Sequence, residues 1–130
     1  NIGNQRYYYA GRVSNKQLNI LYNGAKALVY PSSYEGFGIP VLEAQKAGCP
    51  VIAYNASSIP EIIGDTPLLM NTLDKVELCS KLELLSDESL CSEVIRKGLE
   101  NVKRFSWDKM YEQLMSLYEE AYNGNKKNTK

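Results

Sequence analysis

The chain has 130 residues, enough for one domain with a buried core. Fifteen basic and fifteen acidic residues give a formal net charge of zero, which argues against nucleic acid as the main partner because contacts to a phosphate backbone need a basic excess. The sequence has neither an apolar run of about 20 residues nor a secretory signal, and its three cysteines lack C-x-x-C spacing and any accompanying histidine; we therefore predict a cytoplasmic protein with reduced, mostly buried thiols and no metal site.

The first half of the chain alternates predicted strands with predicted helices. Ser14 is a suitable N-cap for a helix that places Leu18 and Tyr22 on one face, and Pro40 suits the first turn of a second helix that stops at Gly48. Short apolar runs predict strands at residues 6–11, 27–30, 50–54 and 67–70, and one helical turn is predicted at 58–63. This order predicts an α/β fold in which a partial Rossmann-like parallel sheet is flanked by helices.

The second half is predicted to be helical. One helix covers residues 74–85, a second follows Ser86 or Asp87 as its cap, and Ser106 caps the last. The inner face of the middle helix is predicted to be Leu90, Val94, Ile95, Leu99 and Val102. The last helix carries a wide apolar face made of Trp107, Met110, Tyr111, Leu114, Leu117, Tyr118 and Ala121. The polar residues 123–130 are predicted to be a disordered tail, so that the folded domain is residues 1–122.

The most informative segment joins the second predicted strand to the helix that follows it. Gly36 and Gly38 permit positive φ and a close approach of a ligand to the backbone, and Pro40 marks the helix start. Unpaired amides at a helix N-terminus favour a phosphate, whereas Glu35 and Glu43 on either side favour hydroxyl groups. The segment therefore predicts a ligand that combines phosphate with sugar hydroxyls.

Residues 35–43, EGFGIPVLE, resemble the E-x7-E element of retaining family-4 (group 1) glycosyltransferases, whose usual form is EGFG-[LI]-P-x-x-E. The resemblance continues through AGCPVIA (47–53), SIPEI (58–62) and GD (64–65), back to YAGRV (9–13) and forward to RFSW (104–107). An ordered set of motifs is far more specific than a lone E-x7-E. On this basis the chain resembles the C-terminal, donor-binding domain of a two-domain GT-B enzyme.

The resemblance implies a role for each matching residue. Glu35 would hold hydroxyls of the donor sugar at the catalytic centre, and Glu43 would accept hydrogen bonds from both ribose hydroxyls. The remaining donor-binding residues implied are Gly36, Phe37, Gly38, Val41 and Leu42, through their backbone amides, and Arg12 and Val13, beside the nucleobase. Structural alternatives stay open, because Glu43 also favours the helix macrodipole and Arg12 is equally consistent with a solvated surface residue.

The implied reaction is retaining transfer of a hexosyl group from a nucleotide diphosphate sugar to an acceptor hydroxyl, in glycan, polysaccharide or lipopolysaccharide synthesis. Neither a cofactor nor a metal is implied, and the acceptor can lose its proton to the departing phosphate. Relative to the family, we expect the chain to be truncated at its N-terminus, so that it lacks the arginine and lysine that neutralise the diphosphate and the whole acceptor domain. We therefore expect the fragment to be inactive alone.

The truncation also affects the expected partners. In the family's sheet order two absent strands would lie between the first and second predicted strands, so we expect the chain either to close that gap or to form a dimer through the exposed sheet edge. A lipid-linked acceptor would place the enzyme at the inner face of a membrane. Two alternatives to an enzyme remain. One is a non-catalytic module that binds nucleotide sugars, and the other is a structural interaction domain in which both glutamates are incidental. A dehydrogenase is excluded because no G-x-G-x-x-G follows a predicted strand.

Overall fold

A computed structural model describes residues 6–33 and 37–127, the last three of these and residues 107 and 110 through their backbone only. A three-stranded parallel sheet lies at the centre, in the order β1-β2-β3. The strands are β1 (Leu28–Tyr30), β2 (Val51–Tyr54) and β3 (Leu69–Met70). The helices are α1 (Asn15–Gly24), α2 (Ile39–Lys46), α3 (Ile59–Ile63), α4 (Lys75–Leu84), α5 (Glu88–Val102) and α6 (Trp107–Lys127). The predicted α/β class with a parallel sheet is confirmed.

Local sequence signals set most helix ends. Ser14 and Gln17 form a reciprocal capping box at α1: the Gln17 amide donates to Ser14 Oγ at 3.2 Å, and the Ser14 amide donates to Gln17 Oε1 at 2.9 Å. Asp74 and Asp87 cap α4 and α5 with their carboxylates, which accept one hydrogen bond each, from the backbone amides of Glu77 and Leu90. At the end of α2, Gly48 adopts φ +75°, and the chain turns away there as predicted.

The central strand divides the core into two clusters because its successive side chains point to opposite faces. Val51 and Ala53 pack with Tyr22 of α1 and with α2 and α3, while Ile52 packs on the other face with the strand and helices of the second half. The largest fully buried side chains are Ile52, Ile59, Ile63, Leu68 and Val41. Helix α2 therefore lies on one face of the sheet with its inner side fixed in the core.

The predicted strand at residues 6–11 is wrong. Residues 7–11 are coil, and Tyr7, Tyr8 and Tyr9 are exposed by 58%, 88% and 78%. A strand needs a ladder partner and a buried face, and among the described residues no strand lies beside this segment. Among the strands of the described residues, β1 pairs with β2 alone and forms an edge of the sheet.

Three smaller expectations also differ from the structure. The inner face of α5 is rotated relative to its apolar pattern: Gly98 and Asn101 are buried, whereas Leu99 is exposed, because Gly98 admits Gln45 of α2 at close range. Cys79 is exposed, although Cys49 is buried as predicted. Helix α6 continues to Lys127, so residues 123–127 are helical rather than disordered.

Candidate functional site

Glu43 lies on the exposed side of α2, opposite the buried residues Val41, Ala44 and Gln45. It lines two grooves on the surface of the protein. The first, which we call the α1–α2 groove, has a volume of about 540 Å³ and is lined by Asn15, Leu18, Asn19, Tyr22, Asn23, Glu43, Lys46 and Ala47. The second, the Phe37 groove, has a volume of about 270 Å³ and is lined by Phe37, Ile39, Leu42, Glu43, Lys46, Phe105 and Ser106.

In the α1–α2 groove a buried tyrosine, Tyr22, lies near the carboxylate of Glu43. Tyr22 is 8% exposed and belongs to the core cluster that contains Val41 and Ala44. Both Tyr22 and Glu43 line this groove. Burial raises the pKa of the Tyr22 phenol, and the proximity of Glu43 and Cys49 raises it further. The phenol is therefore protonated near neutral pH.

The Phe37 groove is built on an aromatic pair. Phe37 and Phe105 meet edge to face, with ring centroids 6.1 Å apart and an interplanar angle of 89°. The guanidinium of Arg104 lies 4.9 Å from the centroid of the Phe105 ring. Phe105 follows α5 and Phe37 precedes α2, so this pair fixes the loop before α2 to the second half of the chain.

A buried polar network fixes α2 from its inner side. Asn101 of α5 donates through Nδ2 to Gln45 Oε1 at 2.8 Å and to the carbonyl oxygen of Ile62 at 2.7 Å. Gln45 Nε2 donates in turn to the carbonyl oxygen of Ile63 at 2.9 Å. Arg104 completes the network, because its guanidinium donates to Asn101 Oδ1 and, at 2.9 Å, to the Glu61 carbonyl. Three helices are thus locked together beneath the face that carries Glu43.

The loop into α2 depends on Gly38. This residue is the N-cap of α2 with φ +74°, and a Cβ built on it would lie 3.0 Å from Ile59 Cδ1. The Val41 amide donates to the Gly38 carbonyl oxygen at 3.1 Å. A phosphate at this amide would therefore share the donor with the carbonyl of Gly38.

The structure brings together some of the residues predicted from the sequence. Phe37, Leu42 and Glu43 meet in the Phe37 groove. Arg12 is exposed and Val13 half-buried in the coil before α1, and neither lines a groove at Glu43. The predicted site residues Glu35 and Gly36 lie outside the described residues.

Three residues at these grooves were not predicted to be functional. Lys46 lines both grooves one helical turn after Glu43, and no motif in the sequence includes it. Tyr22 was predicted only to share a helix face with Leu18, and its position beside Glu43 depends on how α1 and α2 pack. Phe105 belongs to the RFSW motif, which is the one sequence signal that pointed to it.

Neither a metal-binding cluster nor a membrane-spanning helix is found among the described residues. Among residues 6–33 and 37–127, no group of three or more His, Cys, Asp or Glu side chains is placed to hold a metal ion. Over the same residues, none of the helices combines the length and the apolar character needed to span a bilayer. The polar and aromatic side chains that line the two grooves carry carboxylate, ammonium, amide, hydroxyl and ring groups.

Comparison with known proteins adds independent information. The family described as "Glycosyl transferases group 1" matches residues 3–101. The chain is 39% identical over 111 residues to O-antigen chain mannosyltransferase B of Escherichia coli, covering 85% of this chain and 29% of that protein. It is 33% identical over 116 residues to the MMP alpha-(1->4)-mannosyltransferase of Mycolicibacterium hassiacum, covering 84% of this chain and 28% of that protein.

A solved structure has the same fold. The sucrose-phosphate synthase of Thermosynechococcus elongatus superposes with a TM-score of 0.78 at 27% sequence identity, over 90% of this chain and 30% of that chain. The present chain thus spans less than a third of the length of each of these three proteins.

Proposed function

Because the chain belongs to the group 1 glycosyl transferase family, we propose that it is the donor-binding part of a retaining glycosyltransferase that moves a hexosyl group from a nucleotide diphosphate sugar to an acceptor hydroxyl. The observation that carries this proposal is the position of Glu43, the second acid of the E-x7-E element, on the exposed side of α2 between two grooves. A carboxylate has two acceptor oxygens, which suits the pair of hydroxyls on a ribose ring.

The surroundings of Glu43 suit a ligand that carries both hydroxyls and phosphate. The α1–α2 groove lies within the usual size range of small-molecule sites and contains the amide side chains of Asn15, Asn19 and Asn23. Lys46 contributes a cation one helical turn from Glu43, and it forms no ion pair with any described residue. A phosphate group is the natural counter-ion for this ammonium group.

In the proposed mechanism the difficult step is departure of the nucleoside diphosphate, because negative charge builds up on its distal phosphate. Backbone amides of Gly36, Phe37 and Gly38, and those at the start of α2, would stabilise that charge together with Lys46. Glu35 would orient the sugar so that its anomeric carbon faces the acceptor. The acceptor hydroxyl would pass its proton to the departing phosphate, so the proposal requires neither a protein base nor a metal.

The remaining parts of the proposal concern substrate and context. Two of the similar proteins are named mannosyltransferases, which supports mannose as the hexose. One of them is named for the O-antigen chain, which supports a polysaccharide product. A lipid-linked acceptor would place transfer at the inner face of a membrane. Arg12 and Val13 would border the nucleobase. Because the match covers less than a third of each similar protein, we propose that transfer also needs an acceptor domain outside this chain.

Ligand-observed NMR titration with GDP-mannose, UDP-glucose and their free nucleoside diphosphates tests the proposal. We expect weak binding by the chain, transfer only when the remainder of the protein is present, and a loss of affinity of about tenfold in Glu43→Gln, because a neutral amide is a poorer acceptor than a carboxylate. Glu83→Gln, at an exposed acid on α4, is the matched control and should bind as the wild type does. Unchanged binding by Glu43→Gln would contradict the proposed role of this site.

A further inference from the structure

We propose that the Phe37 groove binds one sugar ring of the acceptor, an inference that rests on the transferase function proposed above. Part of the groove is a face of α2, whose lining residues follow one another at helical spacing, and the rest comes from residues just before α2 and just after α5. The residues on α2 are Ile39, Leu42, Glu43 and Lys46, and the others are Phe37, Phe105 and Ser106. The groove thus combines aromatic and aliphatic surface with three polar side chains.

The aromatic pair gives the groove a rigid apolar surface. Phe37 and Phe105 are half-buried and meet edge to face, with ring centroids 6.1 Å apart. The guanidinium of Arg104 lies 4.9 Å from the centroid of the Phe105 ring and donates to Asn101 Oδ1, so the ring lies against a cation that the buried network holds. Ile39, 43% exposed, extends the apolar surface. A pyranose ring carries C–H groups on its faces, and such groups pack favourably on aromatic and aliphatic side chains.

The polar groups of the groove match the hydroxyls of a sugar. Glu43 and Lys46 are exposed and offer an acceptor and a donor one helical turn apart. Ser106 Oγ accepts from the backbone amide of Lys109 at 3.0 Å, and its hydroxyl can still donate a hydrogen bond. A carboxylate has about four lone-pair positions, so Glu43 can serve a ribose and a second sugar together. A lipid chain, in contrast, would make no use of these polar groups.

The position of the groove favours the acceptor over the donor. Glu43 and Lys46 line both grooves, so ligands in the α1–α2 groove and in the Phe37 groove lie side by side. A transferase must bring two substrates together, and these adjoining grooves differ in their lining, one rich in asparagine and the other aromatic. Phe37 also stands two residues after Glu35 in the sequence, and Glu35 is the residue proposed to orient the donor sugar.

Phenylalanine labelling tests the inference directly, because the chain contains only two phenylalanines and both line this groove. The probes are the methyl glycosides of mannose, glucose and N-acetylglucosamine. We expect at least one of them to shift the ring resonances of the ¹³C-phenylalanine-labelled chain with a Kd of about 1–10 mM, as suits a small ligand with few contacts. Cyclohexanol, a ring without the sugar hydroxyls, should bind at least about fivefold more weakly. Resonances that none of the glycosides shifts, or that cyclohexanol shifts as readily, would overturn the inference.

A substitution separates stacking on the aromatic ring from simple apolar contact. Phe37→Leu keeps an apolar side chain and removes the ring, so we expect the affinity for the glycoside to fall about fivefold, with the Phe105 resonance as the reporter. Tyr111→Leu, which removes an exposed ring on α6, is the matched control and should bind as the wild type does. Equal affinities of Phe37→Leu and Tyr111→Leu would contradict the proposed contact. The titration of the wild type remains decisive even where Phe37→Leu does not fold.

Addition of GDP distinguishes this inference from the function on which it rests. GDP at saturation should leave the glycoside bound, because the two ligands occupy different grooves. If GDP displaces the glycoside, or alone gives the same pattern of shifts, the groove belongs to the donor, and only the present inference fails. If a glycoside binds at the two rings but neither GDP nor UDP binds the chain, the proposed function fails and the acceptor role of the groove fails with it.

Discussion

Gly38 connects the backbone chemistry of the loop with the packing of the core. Its φ of +74° lies in the left-handed region, and the side chains of Ile59 and Ile62 close the space where a Cβ would stand. The residue therefore satisfies two independent constraints, one conformational and one steric, at the point where α2 begins. Only a residue without a side chain meets both.

We predict that Gly38→Ala lowers the free energy of unfolding by about 1–3 kcal/mol, because it adds left-handed strain to a contact of 3.0 Å with Ile59. Urea unfolding followed by circular dichroism measures this change. Gly24→Ala is the control, since nothing lies within 4 Å of a Cβ at that position and its φ is not positive. Equal stability of Gly38→Ala and Gly24→Ala would contradict the constraint described for Gly38.

Tyr22 predicts a response to alkaline pH. Its pKa is raised in the folded protein, chiefly by burial, so ionisation favours the unfolded chain. The stabilising contribution is fully present below the ordinary tyrosine pKa of about 10 and is lost as the pH rises toward the higher folded-state value. Cys49, whose pKa is also raised by burial, acts in the same direction from its own lower starting value.

We expect wild-type protein to lose stability between about pH 8 and about pH 10.5, and Tyr22→Phe to lose less over the same interval because one titrating group is gone. Urea unfolding at both pH values measures the difference. Tyr111→Phe should follow the wild type, since Tyr111 is exposed on α6. Parallel pH profiles for Tyr22→Phe and the wild type would argue that the phenol titrates equally in both states.

At the scale of elements, α2 is held by a polar network rather than by apolar packing alone. Asn101 donates through Nδ2 to Gln45 and to the last turn of α3, and its Oδ1 accepts hydrogen bonds from Arg104. Gly98 leaves room for the Gln45 side chain, which would meet a Cβ there at 3.3 Å. The register of α5 on α2 is thus set by an amide pair, which explains why the apolar pattern misplaced Leu99.

We predict that Asn101→Ala destabilises the protein by about 2–4 kcal/mol, because the side-chain oxygen of Gln45 and the backbone carbonyl of Ile62 both lose their buried donor. Asn23→Ala, at an exposed position on α1, should change stability by less than about 0.5 kcal/mol. Chemical denaturation of both variants provides the comparison. A loss of less than about 1 kcal/mol for Asn101→Ala would mean that water replaces the network without cost.

For the molecule as a whole, local chemistry predicted more than long-range packing did. The caps Ser14 and Asp87 and the terminator Gly48 act within a few residues of themselves, and the structure has all three in these roles. The motif at residues 35–43 likewise pointed to Glu43 because the resemblance is encoded in adjacent positions. Caps, terminators and motifs of this kind depend on neighbouring residues in the sequence and not on contacts with distant segments.

The features that the sequence did not predict all depend on contacts between distant segments. The segment around Tyr8 has strand composition but no neighbouring strand among the described residues, so its propensity is not realised. Tyr22 and Phe105 come to line the grooves only when α1 and residues 105–106 pack beside α2. One sequence, without its contact map, gives no means of pairing these positions.

The open edge of the sheet leads to a prediction about association. Residues 7–11 are coil and do not pair with β1, so this segment does not close the gap in the sheet. Val29 on β1 is 38% exposed. An edge strand offers backbone donors and acceptors to another chain. We therefore expect the isolated chain to form a dimer through β1, with a mass in light scattering that rises with concentration.

Val29→Lys should shift the chain to the monomer because an edge charge opposes strand pairing, whereas Val76→Lys, on the exposed side of α4, should dimerise like the wild type. A wild-type chain that stays monomeric at every concentration would contradict pairing through this edge, and dimers that persist in Val29→Lys would place the contact elsewhere.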